Sequence, residues 1–291
     1  MRKLMLGMCL AGAVTIVAAQ ETTSPTTFEV ASVKANKSGD TNGMLRRLPG
    51  GRMTATNMPL RQTIMYAYQL AQYQLVGGPG WLQTDRFDIV AKMEGDPAPV
   101  APGAGLDPMQ LATQALLADR FKLKVHRETR EMDIYALVMA KPGGSPGPNL
   151  KPTTQDCAAQ AAAARRGGPP PAPPGPPGSG PAPGVPFCGI FGGPGRIRFG
   201  GLAASMMAQA LSGQSGRMVV DRTGLTGAWD FELNFAVEGR GGPPGADVPA
   251  ADPNAPSFFT AIQEQLGLKL ESTKGPVEVL VIDSVEKPTD D

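Results

Sequence analysis

Histidine is almost missing from this chain: His126 is the single one in 291 residues. That scarcity removes most imidazole-based metal sites and most mechanisms in which histidine shuttles protons. Aromatic residues make up only 5%, and neither sign of charge dominates, with 27 Lys and Arg against 26 Asp and Glu. A net charge of +1 lacks the basic surplus with which nucleic-acid binders displace counterions, so DNA and RNA are not expected as partners. No Walker loop, G-x-G-x-x-G, H-E-x-x-H or EF-hand pattern occurs, and neither a cofactor nor a metal is expected.

What is present is a foldable chain with unusual punctuation. Hydrophobic residues reach 41%, enough for a real core, and exclude a wholly disordered polymer. The 37 Gly and 30 Pro mark stretches that cannot belong to a packed domain.

The amino terminus reads as an export signal. Arg2 and Lys3 precede an uncharged, largely apolar run from Leu4 to Val17, and Val17-Ala18-Ala19 supplies the small residues of a cleavage site. Cleavage is predicted between Ala19 and Gln20. The run is shorter than the roughly 20 residues of a membrane span, and no later stretch approaches that length. The mature chain is therefore expected outside the cytoplasm, periplasmic or extracellular, with no transmembrane segment. Its two remaining cysteines, Cys157 and Cys188, bracket an Ala run, Arg165-Arg166 and a Pro/Gly-rich stretch. A disulfide between them is predicted, because no C-x-x-C spacing or neighbouring His supports a catalytic or metal-binding pair.

The chain also repeats itself. Gly51-Arg52-Met53 falls on Gly195-Arg196-Ile197 at an offset of 144, and the following apolar patterns keep register: Gln74-Leu75-Val76 on Met218-Val219-Val220, and Phe87-Asp88-Ile89 on Phe231-Glu232-Leu233. The expected fold class is α+β, a tandem duplication of a β-α-β-β-α-β-β unit joined by a Pro/Gly-rich loop. The expected organisation is a signal peptide (1–19), a first unit (20–150), a Pro/Gly-rich linker with the disulfide (151–194) and a second unit (195–291). Within the first unit, Asn57 is predicted to cap a helix with a stripe at Leu60, Ile64, Ala67 and Ala71. Arg86 to Lys92 is expected as a strand, Asp107-Pro108 as the start of a second helix, and Leu123–Val125 with Ile134–Met139 as a closing hairpin. In the second unit a helix from Ser257 to Leu266, stopped by Gly267, precedes strands at Lys269–Glu271 and Val277–Asp283.

Candidate chemistry is thin. Gly143-Gly144-Ser145-Pro146-Gly147 fits G-x-S-x-G, but Pro146 has no N–H to offer an oxyanion hole. His126 is expected at a solvated hairpin tip. Asp85, Asp88, Asp230, Glu232 and Asp221 could form a carboxylate pair across a cleft, although strand alternation places acids outward and Phe inward without any catalytic role. Trp81 and Trp229 are candidate ligand platforms, with core packing as the plainer use. No residue is assigned a catalytic, cofactor or metal role.

Several motifs match a known group. Phe28-Glu29-Val30-Ala31-Ser32-Val33-Lys34, Asn57-Met58-Pro59-Leu60-Arg61, Gly77-Gly78-Pro79-Gly80-Trp81-Leu82 and Val220-Asp221-Arg222-Thr223-Gly224-Leu225 resemble a soil-associated family of exported proteins abundant in Acidobacteria. That family carries no activity to transfer to any residue. Similar domains occur as extracytoplasmic parts of metallopeptidases resembling antibiotic-sensing antirepressors, which implies sensing or binding. A looser, fold-level resemblance is to the short N-terminal domains of secretins and TonB-linked receptors. The expected function is an exported, non-enzymatic binding or sensing module of the cell envelope, with an envelope protein or cell-wall component as partner. The alternative is a carboxylate-dependent hydrolase acting outside the cytoplasm.

Overall fold

A computed structural model of the chain describes residues 26–97, 105–157, 159–160, 162, 187–193, 195–236 and 255–288. The predicted signal peptide, with Ala19 and Gln20, lies outside these residues. So does most of the Pro/Gly-rich stretch.

The first half runs β1 (Val30–Ala35), β2 (Met44–Leu48), β3 (Arg52–Pro59), α1 (Leu60–Tyr68), β4 (Leu75–Gly77), α2 (Trp81–Thr84), β5 (Arg86–Lys92), α3 (Pro108–Arg120) and β6 (Lys124–Met139). The second runs β7 (Leu150–Pro152), β8 (Gly189–Gly193), β9 (Arg196–Ala203), α4 (Ala204–Ser215), β10 (Val219–Asp221), β11 (Ala228–Asn234), α5 (Phe258–Leu266) and β12 (Leu268–Ser284). The fold is α+β, and three four-stranded sheets carry it. Two outer sheets are antiparallel, ordered β1-β5-β3-β2 and β7-β11-β9-β8, and a central sheet is ordered β10-β6-β12-β4. The outer orders correspond strand for strand. β3 and β9, α1 and α4, and β4 and β10 each begin 144 residues apart.

Local chemistry sets the helix boundaries. Asp107 accepts from the Gln110 N–H at 3.1 Å while the Gln110 side chain accepts from the Asp107 N–H, a capping box with Pro108 in the first turn. Ser257 accepts from Thr260 N–H, and Gly267 closes α5 with a left-handed φ of 66°.

Four expectations are corrected. Asn57 is not a helix cap: it sits in a bulge of β3 at φ 54°, and α1 starts after an extended Pro59. The bulge forms because the Asp88 carboxylate accepts the Asn57 N–H at 2.8 Å, while the Asn57 amide donates to the carbonyls of Asp40 and Asn42. The closing hairpin is one 16-residue strand, β6, and the last two strands of the second unit are one 17-residue strand, β12. Each charged stretch that resembled a turn is paired along its length with the other long strand, from Leu268↔Met139 to Ser284↔Lys124. The order within each half is therefore three strands before the first helix and one long strand at the end. Lastly, the stretch expected as linker contributes β7 and β8 at its two ends. Its remainder is an insertion inside one connection of the second outer sheet, where the first has only Asn36–Gly43 between β1 and β2.

The halves share their cores. In the first, Met53, Ile89 and Val33 of the outer sheet pack on Leu60 and Ile64 of α1 and Leu117 of α3, and Leu280 and Ile282 of β12 complete it. In the second, Phe199 and Phe231 pack on Met207, Leu211, Ile262 and Leu266, and Leu137 of β6 joins them. Each long strand thus begins beside its own half and ends in the other. Fully burying each such side chain stabilises by about 1.5–3 kcal/mol. The following segments repeat the exchange: Gly147 and Asn149 donate to the carbonyls of Leu266 and Gln265 at the end of α5, and Glu286 donates to Phe121 beyond α3.

Candidate functional site: the open face of the first outer sheet

Strand alternation divides the first outer sheet cleanly. Met53, Ala55, Phe87, Ile89 and Ala91 point into the core, so their neighbours point out. Cross-strand register aligns Met44 with Thr56, Arg46 with Thr54 and Leu48 with Arg52, and β5 adds Val90 beside Thr54. This outer face holds a shallow concavity of about 410 Å³ lined by Asn42, Met44, Arg46, Leu48, Thr54 and Thr56. Val30 is 64% exposed, Val90 58% and Met44 51%. Isolated exposed apolar residues are ordinary; here Met44 lines the concavity, and Val90 and Val30 stand on the same sheet face, on β5 and β1.

The hairpin presenting this face is pinned at its turn. Gly50 and Gly51 adopt φ of 78° and 65°, and both donate their N–H to the Asp96 carboxylate at 3.0 Å. Those two donors hold the Asp96 carboxyl below the usual carboxylate range. On the inner side Arg47 pairs with Asp107, tying β2 to the cap of α3.

The corresponding face of the second outer sheet is closed. Arg198 takes the place of Thr54, its guanidinium 4.9 Å from the Phe187 ring, and Phe187 meets Phe191 edge-on at 5.0 Å. Glu232 stands opposite Arg198 as Val90 stands opposite Thr54, so β11 matches β5 two residues out of the register expected from sequence, with Asp230 and not Glu232 in the place of Asp88. Glu232 pairs with Arg196 at 2.9 Å and Arg198 at 3.4 Å. A Cβ on Gly200 would collide with the Phe187 carbonyl, so glycine is what admits this cover. Cys157 and Cys188 are joined by a disulfide, Cα to Cα 5.5 Å, and the Cys157 sulfur lies against Gly201 in the left-handed region. Gly201 N–H donates to Asp230 at 2.7 Å, just as Asn57 donates to Asp88.

The remaining candidates are engaged in the fold. Asp85 accepts from Lys287 Nζ at 2.5 Å, which holds its carboxyl below the usual range. Asp88 also accepts the Asn36 amide, and Asp221 accepts from Thr223 N–H and hydroxyl in a local turn. His126 lies within the central ribbon and not at a tip, with Nδ1 2.8 Å from Asp283. The Ser145 segment caps α5: a Cβ on Gly147 would lie 2.5 Å from Gly267 N. Trp81 is half-buried on the first core, with Lys287 Nζ 5.5 Å from its ring, and Trp229 is half-buried on the second, its indole donating to the Thr226 carbonyl at 3.0 Å. A smaller cavity of about 230 Å³ lies between Tyr73, Asp133, Arg217 and Met218 on the central sheet. Among the described residues no group of three His, Cys, Asp or Glu side chains could hold a metal ion.

A family model described as "Protein of unknown function (DUF3738)" matches residues 61–285. The chain belongs to the DUF3738 family. No curated protein and no solved structure matches it. The matched span of this DUF3738 protein covers both cores and the central ribbon, while β1, β2 and β3 precede it. The open face is therefore built partly outside the family match. Sequence reasoning passed over Met44, Arg46 and Leu48. A signal was available, since Gly50-Gly51 between two short runs marks a hairpin.

Proposed function

We propose that this DUF3738 protein is an exported, non-enzymatic binding or sensing module of the cell envelope, and that its contact surface is the outer face of the β1-β5-β3-β2 sheet. The observation that carries the reading is the contrast between the two outer sheets: one face covered by Phe187, Phe191 and an Arg198–Glu232 pair, the other open with Val30, Val90 and Met44 exposed. A tandem duplication accounts for the matching strand orders, with one face retained for contact and the other sealed. Support for export comes from the leader-like first 19 residues, the similarity to exported soil-associated proteins and the Cys157–Cys188 disulfide. No helix among the described residues is long and apolar enough to cross a membrane. The partner is an envelope protein or cell-wall component. A carboxylate-dependent hydrolase gains no support from Asp85, Asp88, Asp230, Glu232 or Asp221, since each is held by a structural partner.

The test is site-specific photocrosslinking in cells producing the full precursor. A benzophenone side chain at Val90 is expected to give a discrete adduct that the same group at Glu271, exposed on the central ribbon, does not. Identical adduct patterns from the two positions, or none from Val90, overturn the reading. Mass spectrometry of the same material is expected to find an amino terminus at Gln20.

A further inference from the structure

We propose that β2 accepts an extended peptide as a fifth strand of the first outer sheet, and that the recognised pattern is apolar or aromatic, any residue, Asp or Glu, any residue, apolar or aromatic. The proposal deepens the binding reading above and rests on it.

Three observations lead to it. β2 ends its sheet, and no other strand among the described residues pairs with its outer side, so alternate N–H and C=O groups face away from β3. The same strand lines the 410 Å³ concavity with Met44, Arg46 and Leu48, the residues that point to the outer face. Strand addition of this kind takes affinity from main-chain hydrogen bonds and specificity from alternate side chains. Cross-strand pairing then sets the partner's chemistry: apolar groups opposite Met44 and Leu48, and a carboxylate opposite Arg46.

Arg46 decides the sign. Its Nε lies 2.6 Å from Met44 Sδ, and no carboxylate among the described residues pairs with it. A cation on an edge strand repels cationic and purely apolar strands, and the same charge selects an acidic one. The second outer sheet shows what fills the corresponding volume from within the chain. There the place of Arg46 is taken by Phe191, and aromatic rings with a guanidinium–carboxylate pair cover the strands. An incoming strand with aromatic groups and an acid supplies the first sheet with the parts the second already contains.

The probe is a labelled nine-residue peptide alternating Thr with Phe, Glu and Phe at its central outward positions, titrated by fluorescence anisotropy into the full mature chain. Saturable binding is expected, weakened about tenfold by Arg46→Glu and regained by that variant when the peptide's Glu is replaced by Lys. Thr54→Arg, which mimics the closed sheet, is expected to abolish binding with an unchanged circular dichroism spectrum. N-methylation of one alternate set of peptide amides is expected to abolish binding and of the other set to leave it. Equal binding of Glu and Lys peptides, indifference to both methylation sets, or occupation of the edge by a second copy of the chain in light scattering overturns the proposal. If the peptide fails while Val90 still crosslinks, this inference falls and the broader binding reading stands.

Discussion

Removing the disulfide offers the sharpest measurement on this molecule. Cys157→Ser with Cys188→Ser frees a loop whose cysteines are 31 residues apart, for which the loop-entropy relation gives roughly 3.7 kcal/mol. For a chain of this size such a loss lowers the melting temperature by about 8–15 °C. The outer sheets predict a partial rescue. β7 and β8 are separated by 36 residues and β1 and β2 by eight. Replacing the long connection with an eight-residue one in the cysteine-free chain is expected to restore about 1.3 kcal/mol through loop closure. Urea unfolding reads the result through Trp229, on the second core, in a Trp81→Phe background. A loss under about 1 kcal/mol on removing the cystine, or no recovery with the short connection, refutes the placement of this segment as an insertion stapled at its base.

The two cores are expected to melt as one unit: Trp81 and Trp229, each read with the other changed to Phe, give coincident urea midpoints because β6 and β12 serve both cores. Asp88→Ala is expected to cost about 2–4 kcal/mol in chemical denaturation and Asp230→Ala less, since Asp88 accepts from Asn57 N–H and the Asn36 amide while, among the described residues, Asp230 accepts from Gly201 N–H. Gly147→Ala is expected to cost about 1–3 kcal/mol by crowding the end of α5, whereas Ser145→Ala changes stability little. The Asp96 carboxyl is lowered in the folded chain, so its contribution is present above the ordinary carboxylate range and is lost as pH falls through the folded value. Faster amide exchange at Gly50 and Gly51 on acidification, beyond the intrinsic pH effect and absent in Asp96→Asn, is the expected signature.

Elements with local signals were legible. Asp107-Pro108, Ser257 with Gly267, and the alternating strand from Arg86 to Lys92 all stand where their chemistry placed them. What escaped was non-local. Residues 126–133 are rich in charge and look like a tip, yet Arg127 pairs with Glu278 across the ribbon, a partner 151 residues away. β7 and β8 are short and meet their sheet only through β11 and β9, so no periodicity within them reveals it. Asn57 read as a helix cap, and it is the distant Asp88, accepting its N–H, that holds it in a left-handed bulge instead. The hairpin bearing the open face was marked by Gly50-Gly51, but its openness was not: that depends on comparison with Phe187 and Arg198, which are contributed by separate parts of the chain.

The crossed ends of β6 and β12 impose an order of events on synthesis. Leu280 and Ile282, which seal the interior beneath β1, β3 and β5, lie far downstream of those strands and are synthesised long after them. Until they emerge, the amino-terminal portion has every helix it needs and still shows water a greasy flank. The first core is therefore complete only when β12 threads back to the strands made first.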